Sequence, residues 1–188
     1  MLALLAAVPE ETRLLRQTLR ELQCTSLASL KVWHGLWYET PICLAHSGLG
    51  KAAAAASAMA LISKFQPQAL WLFGCGGAYP GSGLAIGDIA LAECEIFGDE
   101  GVETPLGFQD LEEMGLPMRH DVRGIVYNKW PVDDGLLSWS KPLLAEYSRQ
   151  TDRHFSAGPF VTVSSCTGTT ERGAALAERT GGCCENME

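Results

Sequence analysis

Between Ala69 and Asp88 the sequence leaves a short apolar run, Ala69–Phe73, and enters Gly74, Gly76 and Gly77, then Pro80, Gly81 and Gly83. Apolar residues resume at once from Ile86 to Cys94. This reads as a buried strand, a glycine-rich connection and a second strand. Glycine carries the lowest steric cost where the backbone needs a positive φ or must approach another group closely. Massed at a strand end, these glycines are either the floor of a flat ligand site or a plain connection. The common phosphate fingerprints do not match. A GxGxxG loop opens a helix, whereas Gly87–Ala92 reads as another strand. Gly50-Lys51 lacks the earlier glycine of a Walker loop and is followed by Ala52.

The flanking segments alternate between strand and helix. Leu2–Val8 is a continuous apolar run, as in a strand covered on both faces. Leu15, Leu19 and Leu22 fall at i, i+4 and i+7 and predict one face of a helix. Glu10 and Glu11 lie between these two segments. They either favour the helix N-terminus electrostatically or place a carboxylate at the C-terminal edge of the first strand, where open α/β sheets hold their sites. Val32–Glu39 and Pro41–His46 predict a strand pair, and Ala52–Phe65 a helix of mostly small residues. Ser47-Gly48 lies between, as cap and turn or as a ligand contact. Phe97–Arg123 is acidic and rich in turn residues, either a lid or a solvated excursion. Gly135–Arg149 predicts a helix and Gly158–Ser164 a strand. Thr170–Arg179 predicts a helix with Thr170 as its cap, and Cys183–Glu188 a last strand. This order predicts an α/β fold with three layers, α/β/α, around a central mixed, twisted sheet. One domain over residues 1–188 is expected, and it ends where a further crossover and covering helix would follow.

Charge and cysteine usage exclude several classes. A net charge of −8 and a pI near 5.0 argue against a nucleic-acid surface. No apolar run reaches membrane-spanning length. Met1–Val8 has no basic n-region and meets Pro9-Glu10-Glu11, unlike a signal peptide. The seven cysteines are scattered, which suits reduced thiols in a cytoplasm. Neither they nor the four histidines show metal-ligand spacing, so neither a metal nor a cofactor is expected.

Four stretches, in order, resemble the purine nucleoside phosphorylase and nucleosidase superfamily. They are Ala6–Glu11 with Leu14-Leu15-Arg16, Ser47–Lys51 with the alanine-rich helix, Gly74–Asp88, and Glu185-Asn186-Met187-Glu188. The first is similar to the start of the methylthioadenosine/adenosylhomocysteine nucleosidases. Gly77–Leu84, Asp99–Pro105 with Gly107-Phe108, and Cys184–Glu188 are similar to the futalosine hydrolases. That branch cleaves the N-glycosidic bond of futalosine, releasing hypoxanthine and dehypoxanthinylfutalosine for menaquinone synthesis.

The resemblance implies roles. Glu11 positions the attacking water, with Glu10 as the alternative. Glu188 accepts bonds from the ribose hydroxyls and Met187 packs on the sugar. Gly76 and Gly77, with Cys75 beside them, let the backbone approach the nucleoside. Ser165, Cys166 and Thr167 line the purine. The family's general acid is an aspartate beyond the Met-Glu motif, past Glu188. Arg119, Arg123 and Lys129 are candidates to meet the benzoate of futalosine. A homodimer or higher oligomer is implied, with the alanine-rich helix as a plausible interface. The alternatives are a methylthioadenosine/adenosylhomocysteine or aminofutalosine nucleosidase, a purine nucleoside phosphorylase, and a nucleoside-binding fragment without turnover. Acids at Pro9-Glu10-Glu11 would repel phosphate and favour water as nucleophile.

Overall fold

Leu2, Ala3, Leu4, Leu5 and Ala6 have the sequence of a strand flanked on both edges, and they form one. The computed structural model describes residues 1–188, which divide into two compact units. The first holds Met1–Cys75 with Met187–Glu188, the second Gly76–Asn186.

In the first unit β1 (Leu2–Ala6) is followed by a 3₁₀ turn (Pro9–Thr12) and α1 (Arg13–Thr18). Then come β2 (Arg20–Leu27), β3 (Leu30–Trp37), β4 (Thr40–His46), α2 (Lys51–Phe65) and β5 (Ala69–Leu72). The strands form a mixed sheet in the order β2-β3-β4-β1-β5. β1 pairs in parallel with both β4 and β5, while β2, β3 and β4 are antiparallel. Ala3, Leu5, Val32, Cys43 and Ala45 are fully buried and meet Leu61 of α2. Ala54, Ser57 and Leu61 form the buried stripe of that helix, at the spacing of one helical face.

The leucine spacing misleads beyond Thr18. α1 ends there, Leu19 turns extended at ψ 131°, and Leu22 lies exposed on β2. Pairing of Cys24 with Trp33 and Thr25 with Val32 draws this segment into the sheet. A ladder of backbone hydrogen bonds thus overrides a local helical period. Leu19 remains buried, and it packs where Gly35 has no side chain, since a Cβ there would stand 3.3 Å from the Leu19 Cβ.

The second unit runs β6 (Gly77–Ala78), β7 (Ile89–Phe97), β8 (Gly101–Thr104), β9 (Gly107–Asp110), β10 (Arg119–Asp121), β11 (Gly124–Val126) and β12 (Lys129–Pro131). It continues with α3 (Asp134–Thr151), β13 (Phe155–Thr162), α4 (Thr170–Thr180) and β14 (Cys184–Asn186). Its mixed sheet has the order β12-β7-β13-β14-β6. The segment after the glycines is a strand, as expected. Tyr79, Val161, Val163 and Leu176 make its core cluster, which seats α4 on the sheet. The acidic excursion folds as two short hairpins, β8–β9 and β10–β11. Buried Asn128 anchors it, donating to Phe97 O at 2.9 Å and Glu100 O at 2.7 Å and accepting from Leu111 N at 2.9 Å. The cap of α4 is Thr169, one residue before the expected Thr170. Its hydroxyl accepts from Arg172 N at 3.2 Å. Asp88 has a structural role, accepting from Ala85 N and His154 N at the start of β7. Those bonds hold its carboxyl below the usual range.

No helix is long and apolar enough to cross a membrane. No cluster of three or more His, Cys, Asp or Glu is arranged to hold a metal.

Candidate functional site

Parallel strands aim their last peptide groups toward the carboxyl end of the sheet, and side chains placed there meet a row of N–H donors. In the first unit Ser47 N donates to Ala6 O and Gly48 N to Ala7 O, which extends the β1–β4 ladder past the strands. Phe73 N donates to Leu5 O on the other side. The chain then turns over Pro9–Thr12 and brings the Glu11 carboxylate back onto the strand ends. Oε2 accepts from Ala7 N at 3.0 Å and Val8 N at 3.1 Å, and Oε1 accepts from Cys75 N at 2.9 Å. Glu10, the alternative, lies exposed. Three peptide dipoles therefore converge on one carboxylate, which stays partly open to solvent.

This approach explains the first glycine of the run. A Cβ on Gly74 would stand 2.8 Å from the Glu11 carboxyl carbon and closer still to Oε1. The glycine leaves room for a side chain rather than for an unusual φ.

Glu188 lies in the same unit. Its Oε1 accepts from Gly50 N at 3.4 Å and its Oε2 from Met187 N at 3.3 Å. Met187 and Glu188 are half-buried. Cys75 is exposed, and its amide is the Glu11 anchor.

The second unit holds Gly76, Gly77, Ser165, Cys166 and Thr167. Gly76, Gly77 and Thr167 adjoin a residue that sequence reasoning missed, Glu185. It is 5% exposed on β14, which lies between β13 and β6. Its Oε1 accepts from both Thr167 N and Thr167 Oγ1 at 2.8 Å. Its Cγ lies 3.0 Å from where a Gly77 Cβ would be. A Gly76 Cβ would sit 2.5 Å from Cys184 Sγ. The paired glycines are thus required by the side chains of β14, on which β6 packs. Arg172 steadies the same loop by donating to Ser165 O at 3.3 Å. Ser165 and Cys166 are exposed. A charged residue inside Cys183-Cys184-Glu185-Asn186 was the available signal, because an acid within a strand needs donors.

Glu185 Oε2 and Tyr79 OH are both buried here. Burial, and then the Glu185 charge, push the Tyr79 phenol up. Burial also pushes the Cys184 thiol up to about 12, so it is inert at neutral pH. Glu95 accepts from Thr162 Oγ1 at 3.0 Å and Asn186 Nδ2 at 3.2 Å, and burial outweighs these bonds and raises its carboxyl.

Of the three candidate cations, two are engaged. Arg123 Nη2 lies 3.0 Å and Arg119 Nε 3.5 Å from Asp121, and the Arg119 guanidinium sits 5.1 Å from the centre of the Trp130 ring. Lys129 is exposed on β12.

The chain matches the Phosphorylase superfamily over residues 1–188. It is 33% identical over 159 residues to futalosine hydrolase of Thermus thermophilus, covering 83% of this chain and 62% of the relative. It is 32% identical over 109 residues to 5′-methylthioadenosine/S-adenosylhomocysteine nucleosidase of Staphylococcus aureus, covering 58% of this chain and 47% of the relative. The matches thus span less than two thirds of either relative's length. The fold is that of the 5′-methylthioadenosine/S-adenosylhomocysteine nucleosidase of Neisseria meningitidis in complex with methylthio-immucillin-A. That TM-score is 0.82 at 19% identity, over 100% of this chain and 75% of the other. The S-adenosylhomocysteine nucleosidase of Streptococcus pyogenes gives a TM-score of 0.80 at 22% identity, over 100% of this chain and 73% of the other.

Proposed function

From a chain that belongs to the phosphorylase superfamily, we propose a purine nucleosidase that hydrolyses the N-glycosidic bond of futalosine, yielding hypoxanthine and dehypoxanthinylfutalosine in menaquinone synthesis. The observation that carries this reading is the Glu11 carboxylate, fixed by three backbone N–H groups at the ends of β1 and β5. Hydrolysis at a ribosyl carbon needs water held and deprotonated as positive charge develops on the sugar. Glu11 takes that proton while the water oxygen bonds to the anomeric carbon. The C–N bond breaks and its electron pair leaves with the purine. General-base help of this kind contributes on the order of 10²–10⁴-fold.

Glu188 is the acceptor for the ribose hydroxyls, and Met187 packs on the sugar. Cys75, Gly76 and Gly77 supply backbone that nears the nucleoside. Ser165, Cys166 and Thr167 line the purine, with Thr167 held by Glu185. We assign no residue of the chain to protonation of the leaving base. We also place the enzyme in the cytoplasm, where its seven free cysteines stay reduced. It acts there as a homodimer or higher oligomer through α2, whose Met59 and Ile62 are exposed.

The second reading is a methylthioadenosine/S-adenosylhomocysteine nucleosidase. One observation favours it: Arg119 and Arg123, offered for the benzoate, already face Asp121. Chromatography of products from futalosine, aminofutalosine and methylthioadenosine, with and without phosphate, tests both. Hypoxanthine from futalosine, independent of phosphate, is the expected result. Adenine from methylthioadenosine with futalosine untouched would replace the first reading by the second. Dependence on phosphate would make the chain a phosphorylase.

A further inference from the structure

Thr12 follows Glu11 in the chain and is 0% exposed. A buried hydroxyl needs partners, and this one has three. Its Oγ1 lies 2.6 Å from His46 Nε2, 3.2 Å from Arg16 Nε and 3.2 Å from Pro9 O. A threonine hydroxyl offers one proton and two lone pairs. Arg16 can only donate and Pro9 O can only accept. All three contacts are satisfied together only when the Thr12 proton goes to Pro9 O and His46 donates from Nε2. Counting partners thus assigns the Nε2–H tautomer.

The partners tie the turn to the sheet. Arg16 also donates through Nη2 to Pro9 O at 3.1 Å. Its guanidinium carbon lies 5.5 Å from the Trp33 ring centre, and that ring lies 4.7 Å from the His46 ring. His46 is the register partner of Ala6, at the end of the parallel β1–β4 ladder. Thr12, the neighbour of Glu11, is therefore tied to β4 through His46, and Pro9 O at the other end of the turn is held by Thr12 and Arg16. The side-chain end of Glu11 has its own anchors on Ala7, Val8 and Cys75.

We propose that Thr12 and His46 are positioning residues for Glu11, a buried clamp that sets where its carboxylate meets the strand ends. This rests on Glu11 as the water-orienting base only for its catalytic consequence; the clamp itself is a property of the turn. Burial and then Arg16 lower the His46 imidazole, against the opposing charges of Glu10 and Glu11, which suits a neutral donor.

The experiment is amide hydrogen exchange by NMR on the whole chain, in wild type, Thr12→Val, Thr12→Ser and His46→Gln. Valine keeps the shape of threonine without its hydroxyl, serine keeps the hydroxyl, and glutamine keeps a donor. Local opening appears as faster exchange of the amides that Glu11 holds, about tenfold or more at Cys75 and Ala7 in Thr12→Val. Thr12→Ser stays near wild type, and buried Leu44 on β4 is unchanged in all. Cys75 exchange within about twofold of wild type in Thr12→Val, with Leu44 still protected, overturns the clamp. Where Thr12→Val fails to fold, the His46 ring nitrogen shifts of the wild type decide, since Nδ1–H with bare Nε2 contradicts the assignment.

Turnover is read separately. The clamp predicts that Thr12→Val lowers kcat on the order of 10-fold with KM little changed, restored by Thr12→Ser. An inactive wild type with the expected exchange pattern would leave the clamp standing and withdraw only its catalytic consequence.

Discussion

Replacing Gly74 by alanine puts a methyl group into space that the Glu11 carboxyl occupies. The new Cβ would lie 2.8 Å from Cδ and 3.1 Å from Oε2, with Oε1 nearer than either. A free glutamate would swing aside at little cost, but this one is tethered by three N–H donors. Swinging it aside breaks at least the Cys75 bond. A hydrogen bond to a charged group contributes about 1.5–3 kcal/mol. Both partners are partly open to solvent, so water recovers part of that. We therefore expect Gly74→Ala to cost about 2 kcal/mol, after a gain of up to about 0.5 kcal/mol from the stiffer unfolded chain. For a chain of this length that lowers Tm by roughly 4–8 °C.

The test is a double-mutant cycle with Glu11→Ala, followed by thermal unfolding. Removing the carboxylate empties the space, so the added methyl becomes harmless in the double variant. The two changes should couple by about 2 kcal/mol, with the double variant close to Glu11→Ala alone. Gly74→Ala within about 0.5 kcal/mol of wild type, or a strictly additive cycle, would refute the reasoning.

Two further expectations concern the second unit. Glu185→Ala removes the acceptor of Thr167 N and Oγ1 and should cost about 2–4 kcal/mol in urea unfolding, whereas Glu185→Gln keeps an acceptor and should cost about half as much; equal losses would show that the bonds to Thr167 do not matter. Burial raises the Glu95 carboxyl above its ordinary 4.5, so the folded state holds that proton more tightly than the unfolded chain. Its contribution is complete below pH 4.5 and is lost as pH rises through the raised folded value. Glu95→Gln cannot ionise, so its stability should gain on wild type across that rise and then level off; a gap independent of pH between 4.5 and 8 would contradict the assignment.

The sequence by itself determined the α/β alternation and most of the element order. Continuous apolar runs marked β1, β4 and β5, and the strand after the glycines was legible because no helical period follows Gly87. The place of Glu10 and Glu11 between the first strand and the first helix also singled out these carboxylates. These signals act over a few residues, where periodicity and turn chemistry suffice.

Tertiary structure decided the rest. Leu19 and Leu22 left the helix because β3 offered a ladder that their own period could not foresee. The choice of Glu11 over Glu10 depends on Cys75 N, 64 positions away, and the partner of Thr12 lies 34 positions away at His46. Glu185 looked like one more acid before a Met-Glu motif until β14 paired between β13 and β6 and buried it. The glycines left open a ligand floor or a plain connection, and in the fold Gly74, Gly76 and Gly77 each also leave room for a side chain or sulfur from elsewhere in its own unit. Hydrogen-bond donors and steric room are supplied by segments distant in sequence, so no local pattern records which acid they hold.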